Sequence, residues 1–130
     1  MAFQITALYA IALALLGLVL WFRVTQMRAG LQVSIGDAGN PALHERIRQH
    51  GNFIEWVSVV LLLMIIAEGN GAGALWLHIT GGLLLVGRLV HPFGLKADNP
   101  AHPLRYVGNS ASLLATLTVL VSLVITTFKL

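Results

Sequence analysis

Four long apolar segments alternate with short polar connections along the chain, and they predict four membrane-spanning helices. The segments cover about residues 3–22, 42–68, 72–91 and 104–128, and Asn40 followed by Pro41 is a typical cap and start for the second helix. Each segment is close to the roughly 20 mostly apolar residues that a helix needs to cross a bilayer. Because the segments nearly exhaust the chain, we expect one domain, residues 1–130, built as an all-α four-helix transmembrane bundle.

The composition supports an integral membrane protein. Hydrophobic residues make up 57% of the 130 positions and charged residues only 10%, which is more apolar side chain than a soluble domain of this length can bury. The chain contains no cysteine, which excludes disulfides, thiolate metal ligands and a protein-borne thiol nucleophile. Any sulfur chemistry at this protein would therefore use a thiol that a ligand brings.

The basic residues predict the orientation of the bundle. Seven of the eight lie at one predicted end: Arg23, Arg28, Arg46, Arg48, Arg88, Lys96 and Arg105. By the positive-inside rule this end is cytoplasmic and both termini are periplasmic. No basic residue precedes the first apolar segment, so we expect a retained helix and not a cleaved signal. The net charge of +3 then reflects topology, and we expect no nucleic-acid partner.

Polar side chains in the second segment are the first candidates for a functional site. Arg48, Asn52 and Glu55 follow one another at spacings of four and three residues, which places them on one helical face. An arginine at mid-bilayer costs roughly 2.5 to 3.5 kcal/mol on insertion scales, and such residues usually face a bundle interior or a wet cavity. The face of these three side chains is therefore expected to meet a ligand or a neighbouring helix.

Two further polar pairs are expected at the same cytoplasmic level. Arg88 and His91 lie three residues apart near the end of the third segment, and Arg105 and Asn109 lie one turn apart in the fourth. Guanidinium groups clamp carboxylates, amides bind peptide groups, and a carboxylate such as Glu55 binds an ammonium. The side chains together suit a zwitterionic peptide with two carboxylates, an amine and a thiol, whose lipophilic co-substrate comes from the bilayer.

Other interpretations of these residues stay open. Arg48 and Glu55 are also compatible with a purely structural ion pair, and Arg46 and Lys96 are typical headgroup-facing anchors without a site role. No two histidines are four residues apart, the spacing at which one helix offers two imidazoles to a metal, so we expect no metal site. The histidines weighed for such a site are His44, His50, His91 and His102.

The polar motifs resemble those of a known family. Residues 45–55 read Glu-Arg-x-Arg-x-x-x-Asn-x-x-Glu, residues 87–91 read Gly-Arg-Leu-x-His, and residues 104–105 read Leu-Arg. On four predicted helices, this pattern resembles the MAPEG family, the membrane-associated proteins in eicosanoid and glutathione metabolism. The likeness covers nearly the whole chain and is greatest to the small bacterial inner-membrane branch of the family.

The resemblance implies a homotrimer of left-handed four-helix bundles in the inner membrane, with glutathione bound between neighbouring subunits near the cytoplasmic side. Arg105 resembles the catalytic arginine that stabilises the glutathione thiolate, while Arg28 would reach in from the first connection. Family enzymes tend to have tyrosines where this chain has Trp56, His91 and Leu95, and His91 can replace one hydroxyl as a hydrogen-bond donor. The implied glutathione-binding residues are Arg28, Arg48, Asn52, Glu55, Arg88 and His91.

The expected activity is that of a glutathione transferase or peroxidase, with glutathione as co-substrate and a lipophilic electrophile or lipid hydroperoxide as substrate. A free thiol with a pKa of about 8.5 is mostly protonated at neutral pH, and a nearby guanidinium favours its thiolate. Two other classes stay open. One is a non-catalytic membrane binder of a lipid or anionic metabolite, and the other is a small multidrug exporter, although Glu55 lies nearer the cytoplasmic edge than a proton-coupled carboxylate would.

Overall fold

The computed structural model describes residues 3–130, which fold into four α-helices without any strand. The helices are α1 (Gln4–Leu31), α2 (Pro41–Gly69), α3 (Ala74–Gly94) and α4 (Pro103–Phe128). All four are long and apolar enough to cross a membrane. The predicted all-α architecture with four transmembrane helices is therefore confirmed.

The first helix is longer than its apolar segment. The prediction ended it at about residue 22, but α1 continues through residues 23–31, where arginine, glutamine and methionine are favourable helix formers. It ends at Gln32, whose backbone is left-handed with φ 55°. The connection to α2 therefore covers only residues 32–40, and Arg28 lies in the last turn of α1, not in the connection.

The start of α2 follows the predicted chemistry. Asn40 Oδ1 accepts a hydrogen bond of 3.0 Å from the main-chain N–H of Leu43, and Pro41 occupies the first helical turn. In the connection just before it, Asp37 Oδ1 accepts a bond of 2.9 Å from Gly39 N, and Asp37 Oδ2 lies 2.6 Å from His44 Nδ1. These contacts, the Gly39 N–H first and the His44 ring second, lower the pKa of the Asp37 carboxyl.

Glycines set the closest helix contact, between α3 and α4. A Cβ at Gly87 would lie 2.9 Å from the carbonyl oxygen of Gly108 and 3.0 Å from Ala111 Cβ, so the two backbones touch directly. Gly81 likewise accommodates the ring of Tyr9 on α1, whereas Gly82 faces open space. Small residues at these positions bring the helices close enough for polar side chains to reach across, which positions the site described below.

A carboxylate joins the first helix to the second at the opposite end of the bundle. Glu68 accepts hydrogen bonds from the main-chain N–H groups of Ile5 (2.9 Å) and Thr6 (2.8 Å) and from Thr6 Oγ1 (2.6 Å). A negative charge is favourable at a helix N-terminus, where the first N–H groups have no intrahelical partner. Glu68 therefore fixes the start of α1 against the last turn of α2.

Candidate functional site

A buried guanidinium connects three helices on the side of the bundle that carries most basic residues. Arg88 on α3 is 1% exposed. Its Nη1 donates a hydrogen bond of 2.8 Å to Asn52 Oδ1 on α2, and its Nη2 donates one of 2.9 Å to the carbonyl oxygen of Gly108 on α4. Its Cζ also lies 5.8 Å from the centre of the Trp56 ring, a cation–π contact. Arg88 thus holds α2 and α4 together from inside.

The other two charged side chains of the α2 motif lie on the outside of the bundle. Arg48 Nη2 is 3.5 Å from Glu55 Oε1, two helical turns away, and the two side chains are 50% and 58% exposed. An ion pair that faces outward from a membrane helix meets lipid unless another molecule covers it. The pair is therefore accessible to a polar ligand or to a neighbouring protein chain.

A cleft between α2 and α4 is lined by Asn52, the residue of the same motif that lies between Arg48 and Glu55 in the sequence. It has a volume of about 380 Å³, and the Asn109 amide in its wall lies near the ring of His91. A second cleft of about 260 Å³ continues past Trp56 along more apolar walls toward Thr116, and Glu55 borders it. The first cleft is lined by Asn52, Trp56, Asn109, Ser110 and Leu113. The site is therefore polar at one end and apolar at the other.

Of the seven sequence-predicted residues, only Asn52 and Glu55 line these clefts, and the other five, Arg28, Arg48, Arg88, His91 and Arg105, do not. Arg105 Nη1 donates a hydrogen bond of 2.9 Å to the carbonyl oxygen of Pro100, in the α3–α4 connection. His91 is 2% exposed because it packs against Gly108 in the α3–α4 contact. Arg28 is on α1, which contacts α2 and α3 but not α4 within the described part of the chain. The structure thus pairs Arg88 with Asn52 and Arg48 with Glu55, while His91 lies near Arg88, Arg105 and Asn109.

Gln49 is a buried polar residue whose contacts the sequence patterns did not predict. Its side chain is 1% exposed, and its Nε2 donates to the main-chain carbonyls of Pro92 (3.0 Å) and Leu95 (3.1 Å). The last carbonyls of a helix lack intrahelical partners, so Gln49 on α2 satisfies the end of α3. The available signal was a polar amide four residues after Glu45, next to Arg48, on a membrane helix.

Two basic residues that were predicted to face headgroups also have protein partners. Lys96 Nζ lies 3.0 Å from Glu45 Oε1, and the second oxygen of Glu45 accepts from Ala97 N at 3.1 Å. Arg46 Nη1 donates a bond of 3.0 Å to the main-chain carbonyl of Arg23, which joins α2 to α1. Both side chains thus fix helices and connections at the basic end of the bundle, which is compatible with the predicted headgroup-facing position.

Candidate metal ligands do not cluster in the described part of the chain. Across residues 3–130, no group of three histidine, aspartate or glutamate side chains lies close enough to hold a metal ion.

Comparison with known proteins decides the family. The model described as "MAPEG family" matches residues 6–125. The chain belongs to the MAPEG family. It is also 41% identical, over 91 residues, to the inner membrane protein YecN of Escherichia coli K12, covering 70% of each chain. The same values hold for YecN of Escherichia coli O6:H1 (strain CFT073), and no solved structure matches significantly.

Membership of the MAPEG family confirms the resemblance inferred from the motifs. The family relates to glutathione metabolism and includes glutathione transferases and peroxidases. Four apolar helices and the likeness to a named inner-membrane protein support a multi-pass protein of the inner membrane.

Proposed function

We propose that the protein binds glutathione at the α2–α4 cleft and activates its thiol for attack on a lipophilic electrophile or a lipid hydroperoxide. The observation that carries this proposal is the Arg48–Glu55 ion pair, which is exposed on a membrane helix beside a polar cleft. Charges in that position are costly unless a polar ligand or another chain covers them. A zwitterionic peptide such as glutathione supplies groups of both signs.

The donor and acceptor groups match the ends of glutathione. Arg48 would bind a carboxylate, and Glu55 would bind the ammonium. Asn52 Oδ1 already accepts a hydrogen bond from Arg88. The NH₂ group of Asn52 would therefore donate to a carbonyl of the ligand. Asn109, which also lines the cleft, would add a second amide beside the peptide groups of the ligand. The cleft volume of about 380 Å³ falls within the roughly 300 to 1,000 Å³ that is usual for small-molecule sites.

The proposed assembly is a homotrimer, with the site near the cytoplasmic side and both termini periplasmic. The exposed Arg48–Glu55 pair supports an assembly because a neighbouring chain would shield it from lipid. Arg28 does not line the cleft of its own protomer, so in this arrangement it would act on the cleft of the adjacent one. His91 would support the site from the α3–α4 contact without reaching the ligand directly.

Arg105 is the proposed catalytic residue. Its bond to the carbonyl of Pro100 is exposed and its acceptor is neutral, so a thiolate is the stronger partner for the guanidinium. With an electrophile, the thiolate forms a carbon–sulfur bond and the leaving group departs with the electron pair. With a hydroperoxide, it attacks the terminal oxygen, the O–O bond breaks, and protonation gives the alcohol. A second glutathione then converts the sulfenic acid to the disulfide and water.

A second candidate function is non-catalytic binding of a lipid or anionic metabolite on the same scaffold. The position of Arg105, bonded to Pro100 and outside the cleft lining, favours this alternative. It predicts binding that depends on Arg48 but no thiolate and no turnover.

Glutathione binding to the detergent-purified protein, measured by isothermal titration calorimetry, tests the proposal. Arg48→Gln is expected to weaken binding about tenfold or more, because it removes a hydrogen bond to a charged group worth roughly 1.5 to 3 kcal/mol. Lys129→Gln is the matched control, since it removes the same charge at the opposite end of the bundle. The absence of saturable binding at millimolar glutathione would overturn the proposal.

A further inference from the structure

A groove separate from the two α2–α4 clefts lies on the outer face of the bundle, between α1 and α3. It has no part in the proposed glutathione site. Its volume is about 330 Å³. Apolar side chains form most of its wall, among them Val19, Leu20, Leu89 and Phe93, and two cations border it, Arg23 and Lys96. Val19 is 56% exposed and Phe93 67% exposed, so the groove opens toward the surroundings of the bundle. The groove thus combines a charged part with an apolar part.

The charged part of the groove carries an excess of positive charge. Arg46 Nη1 donates to the main-chain carbonyl of Arg23, which brings a third cation beside Arg23 and Lys96. Glu45, paired with Lys96 at 3.0 Å, and Asp98, which lines a neighbouring pocket with both, are the carboxylates nearby, so three positive charges less two negative charges leave one. None of the ion pairs formed within residues 3–130 involves Arg23. The Arg23 guanidinium is therefore available to an external anion.

We propose that this groove binds an anionic glycerophospholipid, with the phosphate on Arg23 and Lys96 and an acyl chain along Val19, Leu89 and Phe93. Basic pockets between membrane helices on the cytoplasmic side are suited to anionic headgroups. The apolar wall adds a preference for lipid over a water-soluble phosphate, which would leave that wall uncovered. A second copy of the chain is a poorer occupant, because the whole chain has a net charge of +3 and offers few carboxylates to these cations.

Arg23→Gln is the decisive variant. Lys96 is less suitable, because its removal would leave Glu45 without its cation. Native mass spectrometry of the detergent-purified protein measures binding of phosphatidylglycerol and of phosphatidylcholine with identical acyl chains. We expect phosphatidylglycerol to bind more tightly, and Arg23→Gln to weaken it about fivefold, the effect of roughly one charge near a membrane surface. Lys129→Gln, at the other end of the bundle, is the matched control and should bind like the parent.

The other possible results of these measurements each support or overturn the lipid-binding proposal. Equal affinity of the parent for the two lipids, or unchanged binding by Arg23→Gln, would overturn it. Competition by glycerol 3-phosphate at the concentrations at which the lipid binds would assign the cations to a soluble phosphate and would also overturn it. If Arg23→Gln does not fold, Phe93→Ala tests the apolar wall, and it should weaken phosphatidylglycerol binding. Glutathione titration is a separate measurement, so failure of either proposal leaves the other intact.

Discussion

Arg88 on α3 donates a hydrogen bond of 2.8 Å to Asn52 Oδ1 on α2, so a buried guanidinium fixes the amide that faces the candidate site. The same guanidinium donates to the carbonyl oxygen of Gly108 at 2.9 Å, which includes α4 in the junction. The orientation of Asn52 therefore depends on the packing of three helices. A change at Arg88 is therefore expected to affect both the packing of these helices and the candidate site.

Arg88→Lys should lower stability. A lysine ammonium is a compact point charge and lacks the planar fork with which Arg88 reaches Asn52 Oδ1 and Gly108 O together. Loss of one such charged hydrogen bond costs roughly 1.5 to 3 kcal/mol. Thermal unfolding in detergent measures the change, and Arg105→Lys, at an exposed side chain with one bond, should change much less. A variant that melts with the parent would show that the junction contributes little.

Gly87→Ala should destabilise the α3–α4 pair. The added Cβ would lie 2.9 Å from a backbone oxygen of α4, which can move only if the helices separate. Overpacking of this kind typically costs about 1 to 3 kcal/mol. Gly82→Ala on the same helix is the control: its Cβ meets open space, and alanine is favoured over glycine in helices by up to about 1 kcal/mol. Equal melting temperatures for the two variants would contradict the described contact.

The connection before α2 should loosen in acid. The Gly39 N–H and the His44 ring lower the pKa of the Asp37 carboxyl below its ordinary 3.8. A carboxyl with a lowered pKa contributes stability above its unfolded pKa and loses it as pH falls through the folded value. Amide hydrogen exchange of residues 36–40, corrected for intrinsic rates, should therefore stay constant from neutral pH to about pH 4 and rise below it. Asp37→Asn should remove this pH dependence.

The features of the fold that could be predicted from the sequence are those that depend on a single local property of the chain. The four helices follow from segment length and apolar content, and the start of α2 follows from Asn40 and Pro41, as the observed cap confirms. The end of α1 at Leu31 lies nine residues past the predicted end, because hydropathy marks the bilayer and the helix continues beyond it. The sequence alone likewise does not distinguish Gly82, which faces open space, from Gly87, which packs against α4.

The site could be predicted only in part. The shared face of Arg48 and Glu55 follows from their spacing along α2, and their contact agrees with it. The roles of Gln49 and Glu68 depend on helix ends that are distant in sequence, the carbonyls of α3 and the N–H groups of α1. No pattern within α2 reports these partners, because they become neighbours only when the helices pack.

The central claim, activation of a glutathione thiol by Arg105, is tested most directly by the ultraviolet absorbance of the thiolate. The parent and Arg105→Ala are saturated with glutathione at neutral pH, and calorimetry confirms that each binds it. We predict a thiolate band in the parent that disappears in Arg105→Ala while binding is retained, since Arg48, Asn52 and Glu55 remain. Saturable binding without a thiolate band in the parent, or an equal band in both proteins, would contradict the mechanism.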